Sequence, residues 1–451
     1  MKIAVVGCGH VGLVTGACLA QLGHQVIGAD DDPQKIDVLL RGRVPIFEPH
    51  LDDLVSENMR RGRLRFTGDV AAASQDSDVI FICVGTPPLE NGEADLSGID
   101  KLARTVATQC RGHKLVVEKS TVPVRTGQEL ERILQVYGAR SGFAHEVASN
   151  PEFLREGRAI EDFFQPDRIV IGASSEEARK ILEGLYRPIL EQKFNCPVHS
   201  PCPQAPRPLL LATNIPTAEL IKHASNSFLA LKISYINALA DLCEIFGADV
   251  TMLAEGMGSD RRIGRDFLRP GIGFGGFCLP KDIQAFVRLA ERGGYDFALL
   301  REVEKINQRR IDHFVEKVRS ALWVIADKQI AILGLAFKPD TDDIRFSPAL
   351  AVISRLLEQK ARLKVFDPKA MERTQPFFPQ LTYCRDAYEA AEGSEALLLA
   401  TEWEEFRSLD WSKIRDSMAR PLLLDGRNFF VPKEMAALGF EYHSMGRPDP
   451  R

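Results

Sequence analysis

Short apolar runs, each closed by glycine or a charged residue, alternate with longer amphipathic stretches along most of this chain. Continuous apolar runs of about five residues suit strands buried on both faces of a parallel sheet, and the amphipathic stretches suit the helices that cover it. On this reading residues 2–6 form a strand, 11–22 a helix and 24–29 a second strand that ends at Asp30, while 78–84 and 115–117 add further strands. Asn150 followed by Pro151 has the signature of a helix start, which would set Glu152 and Glu156 on one helix face. The pattern then gives way to a stretch with six prolines between 195 and 216, read as a linker or surface loop. Thr217 caps a helix that reaches towards Gly247, about thirty residues or ~45 Å at the standard rise. From Lys328 the first pattern returns: strands over 329–333 and 363–366, the latter ending at Asp367, flank a loop over 334–345 and a helix over 348–359. Runs at 396–400 and 422–424 extend that second sheet, and the last dozen residues read as a tail.

Composition narrows the class of molecule. The 451 residues leave room for about three domains. With 45% hydrophobic and 26% charged residues the chain is globular rather than disordered. A net charge of -5 carries no electrostatic footprint for nucleic acid or an acidic membrane, so neither is an expected partner. Nine cysteines without a Cys-x-x-Cys pair suit reduced thiols in a cytoplasm. The apolar start passes for a secretory signal only until Gly7, Gly9, Gly12 and Gly16 are counted, and no run approaches the length of a membrane span.

Those glycines introduce the chemistry. Gly7 permits a tight turn after the first strand, Gly9 lets a pyrophosphate approach the helix N-terminus, and Gly12 lets helix pack on strand, with His10 and Val11 inside the same turn. Asp30 lies at the distance expected of a carboxylate that bonds ribose hydroxyls, and Asp31 and Asp32 would repel a ribose phosphate, so NAD is expected rather than NADP. Thr86, Ser120 and Thr121 fall in turns at the carboxyl ends of strands, where such folds bind ligands, and read equally as ordinary turn hydroxyls. Between 271 and 282 a glycine run leads to Cys278, then Pro280, Lys281 and Asp282. A helix N-terminus and a nearby lysine both favour a thiolate, although a cysteine is also a small hydrophobe that packs in cores. Lys222 and Asn226, four apart on the long helix, are by themselves ordinary solvated residues. Cys196, His199 and Cys202 lack a fourth zinc ligand and the usual paired spacing, so no metal is expected.

Taken together, these stretches resemble the nucleotide-sugar 6-dehydrogenases, the UDP-glucose/GDP-mannose dehydrogenase family. The most specific parts are residues 273–282, 150–157, and 334–338 with 343–345; the run 162–172 is similar to the UDP-glucose branch. The resemblance implies two Rossmann-like, doubly wound parallel-sheet domains joined by a long central helix. These are an NAD-binding domain over 1–212, a central helical dimerisation domain with the cysteine loop over 213–318, and a UDP-sugar-binding domain over 319–451. It implies a cytoplasmic homodimer or higher homo-oligomer that oxidises the C6 alcohol of UDP-glucose to a carboxylate with two NAD in succession. Cys278 would attack the intermediate aldehyde, Lys222 and Asn226 would stabilise oxyanions, and Asp282 and Glu152 would handle protons through a water near Thr121. The implied cofactor contacts are the Gly7–Gly12 loop, Asp30, Lys35, Thr86, Ser120, Thr121, Glu156, Lys281 and Arg345. Those implied for the sugar are Glu152, Phe153, Leu154, Lys222, Asn226, Arg262, Phe267, Gly275, Phe337, Lys338 and Arg427. His10 stands where the family commonly has tyrosine, and Phe277 where serine or tyrosine is usual, which bears on the hexose admitted. GDP-mannose or a UDP-N-acetyl-hexosamine is the rival substrate, and an inactive nucleotide-sugar-binding regulator the rival of another class.

Overall fold

The computed structural model describes residues 1–139, 142–203 and 206–449. The chain divides into two compact units, Met1–Ser225 with Gln284–Gly293, and Asn226–Ile283 with Gly294–Arg451. The segment 213–318 is thus apportioned between them.

The first unit is built on eight strands: β1 (Lys2–Val6), β2 (Gln25–Ala29), β3 (Leu64–Thr67), β4 (Val79–Ile82), β5 (Leu115–Glu118), β6 (Glu146–Ser149), β7 (Arg168–Ala173) and β8 (Leu209–Thr213). They lie in the order β3-β2-β1-β4-β5-β6-β7-β8. All neighbours are parallel except β6 and β7. The apolar runs behave as a doubly covered sheet requires. Along β1, Ile3 and Val5 enter one core with Leu13, Val14 and Ala17 of the helix His10–Gln21, while Ala4 and Val6 enter the opposite core with Ile99, Leu102 and Val106. The proline-rich stretch is only partly a loop: Leu209–Thr213 pairs with β7 as the edge strand β8. An edge strand is covered on one side, so its alternation is too weak to announce it. Gln204 and Ala205 of that stretch lie outside the described residues.

In the second unit, β9 (Gln329–Leu333), β10 (Arg362–Phe366), β11 (Thr382–Tyr383), β12 (Ala396–Leu399), β13 (Leu422–Asp425) and β14 (Glu441–Ser444) form an all-parallel sheet in the order β11-β10-β9-β12-β13-β14. The expected C-terminal tail is therefore corrected. Glu441–Ser444 is a strand, Met445 is fully buried, and the Gly446 amide donates to Glu244 Oε1 at 2.8 Å. Pro450 and Arg451 lie outside the described residues.

The long helix spans Ile215–Phe246, 32 residues, and the boundary between the units falls within it. Its cap is Asn214 rather than Thr217: Asn214 Oδ1 accepts the Thr217 amide at 2.9 Å. Pro216, with no amide hydrogen of its own, sits in the first turn.

Candidate functional site

The first unit gathers the dinucleotide-type residues at the carboxyl ends of its strands. Gly7 leaves β1 with φ +98° and donates to Ala29 O at 2.8 Å, and the helix begins at His10. A Cβ on Gly12 would collide with the Gly7 carbonyl, whereas one on Gly9 would meet nothing within 4 Å. The turn is thus closed beneath and open above the helix N-terminus, as an approaching pyrophosphate requires. Asp30 Oδ2 accepts the Cys8 amide and the Lys35 ammonium, both at 2.7 Å, and Oδ1 accepts the Asp32 amide at 3.0 Å. An ionised carboxylate has about four acceptor sites, so one is left for a ribose hydroxyl. These residues fit NAD. Thr86 donates to Thr121 O at 2.9 Å and Ser120 to Val84 O at 2.7 Å, so both hydroxyls tie the turn after β4 to the turn after β5. Val11 and Thr121 are half-buried beside them.

His10 pairs with Glu48, Nε2 to Oε2 at 3.0 Å. Burial works to lower the imidazole pKa but is outweighed by Glu48, with further help from Glu156 and Glu152, so His10 titrates above its ordinary value. Glu48 is itself fixed by the Gly157 and Ala159 amides at 2.7 and 2.8 Å.

The expected helix at Asn150 is corrected. Residues 150–158 form a loop, and the next helix is Ala159–Phe164. Asn150 has other partners: its Nδ2 donates to Val170 O at 2.9 Å, and its Oδ1 accepts from Tyr186 at 2.6 Å and from Lys119 at 3.0 Å. Its side chain is thus committed across the sheet and cannot cap. Glu152 and Glu156 do not share a helix face. Glu152 Oε2 accepts the Leu154 amide at 2.6 Å, which turns Oε1 to Lys222 Nζ at 2.9 Å. Both side chains are 6% exposed. Removing either partner would strand a buried charge at a cost of ~3–5 kcal/mol, so each orients the other. The Phe153 ring lies beneath the Arg168 guanidinium at 3.8 Å and within 5.4 Å of Lys222 Nζ. Lys119 is buried behind this loop, and desolvation brings its pKa down to about 8.

In the second unit the glycine stretch is held along its length. The Gly271 amide donates to Asn237 Oδ1 (2.9 Å), Gly271 O accepts from the buried Arg310 (3.1 Å), Asn307 bonds both backbone groups of Phe274 (2.8 and 2.9 Å), and the Gly276 amide donates to Arg345 O (3.0 Å). Any Cβ on Gly275 would run into Phe346 O, and one on Gly276 would stand 2.7 Å from the Phe337 ring. Cys278 is the first residue of the helix Cys278–Arg292 and is exposed. One turn on, Asp282 is buried, with Oδ2 accepting from Asn226 and Oδ1 from Lys281, both at 2.6 Å. Lys281 was expected to support the thiolate, but its ammonium is committed to Asp282. Phe277 packs under Arg345, 4.3 Å from guanidinium to ring, with Lys281 Nζ at 5.5 Å. Arg345 also chelates Asp343 at 2.7 Å.

Arg427 donates to Ala400 O, Gly273 O and Phe337 O at 2.7, 3.1 and 3.2 Å, and Lys338 Nζ lies 5.6 Å from the Phe337 ring. Two expected residues stand apart from these contacts. Arg262 is 88% exposed and paired with Asp260, and Phe267 is half-buried with φ +64°. Sequence reasoning missed Glu48, Lys119, Arg168, Asn307 and Arg310, all of which act through partners remote in sequence. Cys196 Sγ lies 3.8 Å from His199 Nδ1, and among the described residues no group of three or more side chains has the makings of a metal site. No helix among them is long and apolar enough to cross a membrane.

Comparison with known proteins places the chain. Residues 1–190 match the NAD binding domain of the UDP-glucose/GDP-mannose dehydrogenase family, 216–309 its central domain and 331–432 its UDP binding domain. The UDP-glucose 6-dehydrogenase of Rhizobium meliloti (strain 1021) is 46% identical over 453 residues, covering 100% of both chains. UDP-glucose 6-dehydrogenase TuaD of Bacillus subtilis (strain 168) is 43% identical, covering 99% of this chain and 93% of its own. The structure of a UDP-glucose dehydrogenase from the hyperthermophilic archaeon Pyrobaculum islandicum matches with a TM-score of 0.88 and 36% identity, covering 99% of this chain and 98% of that one. With its three family domains in order and an open glycine turn above a ribose-type acid, the chain belongs to the UDP-glucose/GDP-mannose dehydrogenase family of NAD-dependent oxidoreductases.

Proposed function

We propose that this chain oxidises UDP-glucose at C6 to UDP-glucuronate in two successive steps. The observation that carries the reading is the exposure of Cys278. Of nine cysteines, six are buried and two half-buried, and only Cys278 is exposed. Burial pushes Cys83 up to about 12 and also raises Cys18, Cys110, Cys243 and Cys384. Those thiols are inert, and of the three that are not buried, Cys196, Cys202 and Cys278, only Cys278 stands at a helix N-terminus, where it serves as the nucleophile.

NAD, when bound, takes up the two electrons and the hydrogen removed from C6 in each step. It is held by the Gly7–Gly12 turn, with Asp30 orienting its ribose and Lys35, Thr86, Ser120 and Glu156 around it. The sulfur of Cys278 bonds to the aldehyde carbon formed in the first step, and the resulting thiohemiacetal is oxidised to a thioester that water cleaves. A thiolate serves both as attacking and as leaving group. Lys222 and Asn226 stabilise oxyanions at C6, and Glu152 and Asp282 move protons, with a water near Thr121. Phe153, Leu154, Phe267, Gly275, Phe337, Lys338 and Arg427 receive the UDP-sugar, the cations matching a diphosphate. The part over 1–212 takes NAD and the part over 319–451 the nucleotide. A homodimer is supported by the apolar stripe Phe228, Tyr235, Leu242, Ile245 and Phe246, all exposed along the central helix, and reduced thiols support a cytoplasmic setting.

Purified protein is incubated with NAD and UDP-glucose, GDP-mannose or UDP-N-acetyl-hexosamines, and NADH is followed. Two NADH per UDP-glucose are expected. A response confined to another sugar overturns the substrate assignment, and no response to any overturns the enzymatic one.

A further inference from the structure

Beneath the turn that carries Ser120 and Thr121 lies a pair of carboxyl groups with no assigned role. Glu118 ends β5, is 1% exposed, and neither of its oxygens meets a hydrogen-bond donor in good geometry. The groups that face it are the carboxylate of Glu219, from the first turns of the central helix, and the hydroxyl of Ser149, from the end of β6. Glu219 is differently placed: Oε2 accepts the Arg125 amide at 2.6 Å and Oε1 the Gly127 amide at 2.8 Å, where the helix Thr126–Gly138 begins. Two buried carboxyl groups in contact cannot both be ionised, so one keeps its proton. Glu219, with two amide donors and a helix N-terminus, is built to hold the charge. Among the described residues Glu118 has no amide donor and faces only the Ser149 hydroxyl and the Glu219 carboxylate, so it is the member left to donate its proton to Glu219.

We propose that Glu118 and Glu219 share one proton, and that this pair locks the Ser120–Gly127 segment to the central helix, making Glu118 a positioning residue for Thr121 and Lys222. The chain of contacts is short. Glu219 precedes Lys222 by about one helical turn, and His223, next to Lys222, holds Val122 O at 2.6 Å through Nε2. The same few residues of the helix therefore fix both the 120s segment and the Lys222–Glu152 pair. Breaking the shared proton would leave two negative charges facing each other at the joint between them.

Titration follows from this geometry. Burial, then the charge of Glu219, raises Glu118 well above the ordinary carboxylate value. Burial also lifts Glu219, against the pull of its two amide donors. A raised pKa in the folded state means that the fold binds the proton more tightly than the unfolded chain does. Stability is then full below the ordinary carboxylate range and declines as pH rises towards the raised value.

Glu118→Gln offers an amide donor in place of the carboxyl proton and does not titrate, whereas Glu118→Leu removes the bond. The inference rests on the dehydrogenase reading for its activity arm only. Wild type is expected to show the infrared band of a protonated buried carboxyl at neutral pH, absent in Glu118→Gln. The melting temperature of wild type should fall relative to that of Glu118→Gln as pH rises above the ordinary carboxylate range towards the raised value. Glu118→Gln should keep kcat within about twofold, while Glu118→Leu should lose about a hundredfold in kcat with a smaller change in KM for NAD, as misplacement near a reacting centre does. Parallel melting curves for wild type and Glu118→Gln, or no carboxyl band, overturn the shared proton. Unchanged kcat in Glu118→Leu overturns the positioning role. Absence of turnover in wild type would defeat the dehydrogenase reading alone, because the infrared and melting measurements still decide the proton.

Discussion

The two parallel sheets open with the same device and put it to different use. Gly7 follows β1 with φ +98° and donates to Ala29 O at 2.8 Å; Gly334 follows β9 with φ +96° and donates to Phe366 O at 2.8 Å. Each following strand ends in an acid, Asp30 or Asp367, that accepts amides from the glycine loop. The difference lies in what surrounds the acid and where the helix starts. Asp30 is bonded by two amides and by the half-buried Lys35, and a helix N-terminus stands at His10, beside the turn. Asp367 is fully buried and accepts from five donors, the amides of Leu335, Ala336, Lys369 and Ala370 and the indole of Trp403. Its helix does not begin until Pro348. The second acid has no acceptor site to give a ribose, and its loop has no helix end for a pyrophosphate. Lys338, Arg345 and Arg427 supply cationic side chains there instead. One supersecondary unit thus leaves an acceptor open for a ribose in one place and is closed on itself in the other, according to whether the acid's acceptors are already filled.

Substitution separates the two roles. The largest effect is expected for Asp367→Ala, which strands five buried donors and should lower unfolding free energy by ~3–5 kcal/mol, read in a denaturant melt. Asp30→Ala should act on the ligand more than on the fold. Loss of a charged acceptor for ribose corresponds to ~1.5–3 kcal/mol, a rise of roughly tenfold or more in KM for NAD, with a smaller shift in melting temperature when NAD is absent. Equal loss of stability in both variants, with NAD affinity untouched, would dissolve the contrast.

Much of this was legible in the chain, and the failures have physical causes. Strands buried on both faces, such as residues 329–333, are written as plain apolar runs and were located to the residue. The Gly7–Asp30 unit and the Cys278 helix were legible because turn and cap chemistry is local. Asn150-Pro151 carries a genuine helix-start signal, yet Lys119, Tyr186 and Val170 outbid it with contacts remote in sequence. Edge strands β8 and β14 hid in proline-rich and polar surroundings. The Glu118–Glu219 pair left no local mark, since each residue is an ordinary acid until the fold brings them together.

The division of labour between the two units is tested most directly by titrating the full chain, in separate calorimetric experiments, with NAD and with UDP. One NAD per chain, abolished or strongly weakened by Asp30→Ala, and one UDP per chain, indifferent to Asp30→Ala and weakened by Lys338→Ala, is the expected result. Two NAD per chain, or UDP binding lost with Asp30, would contradict it.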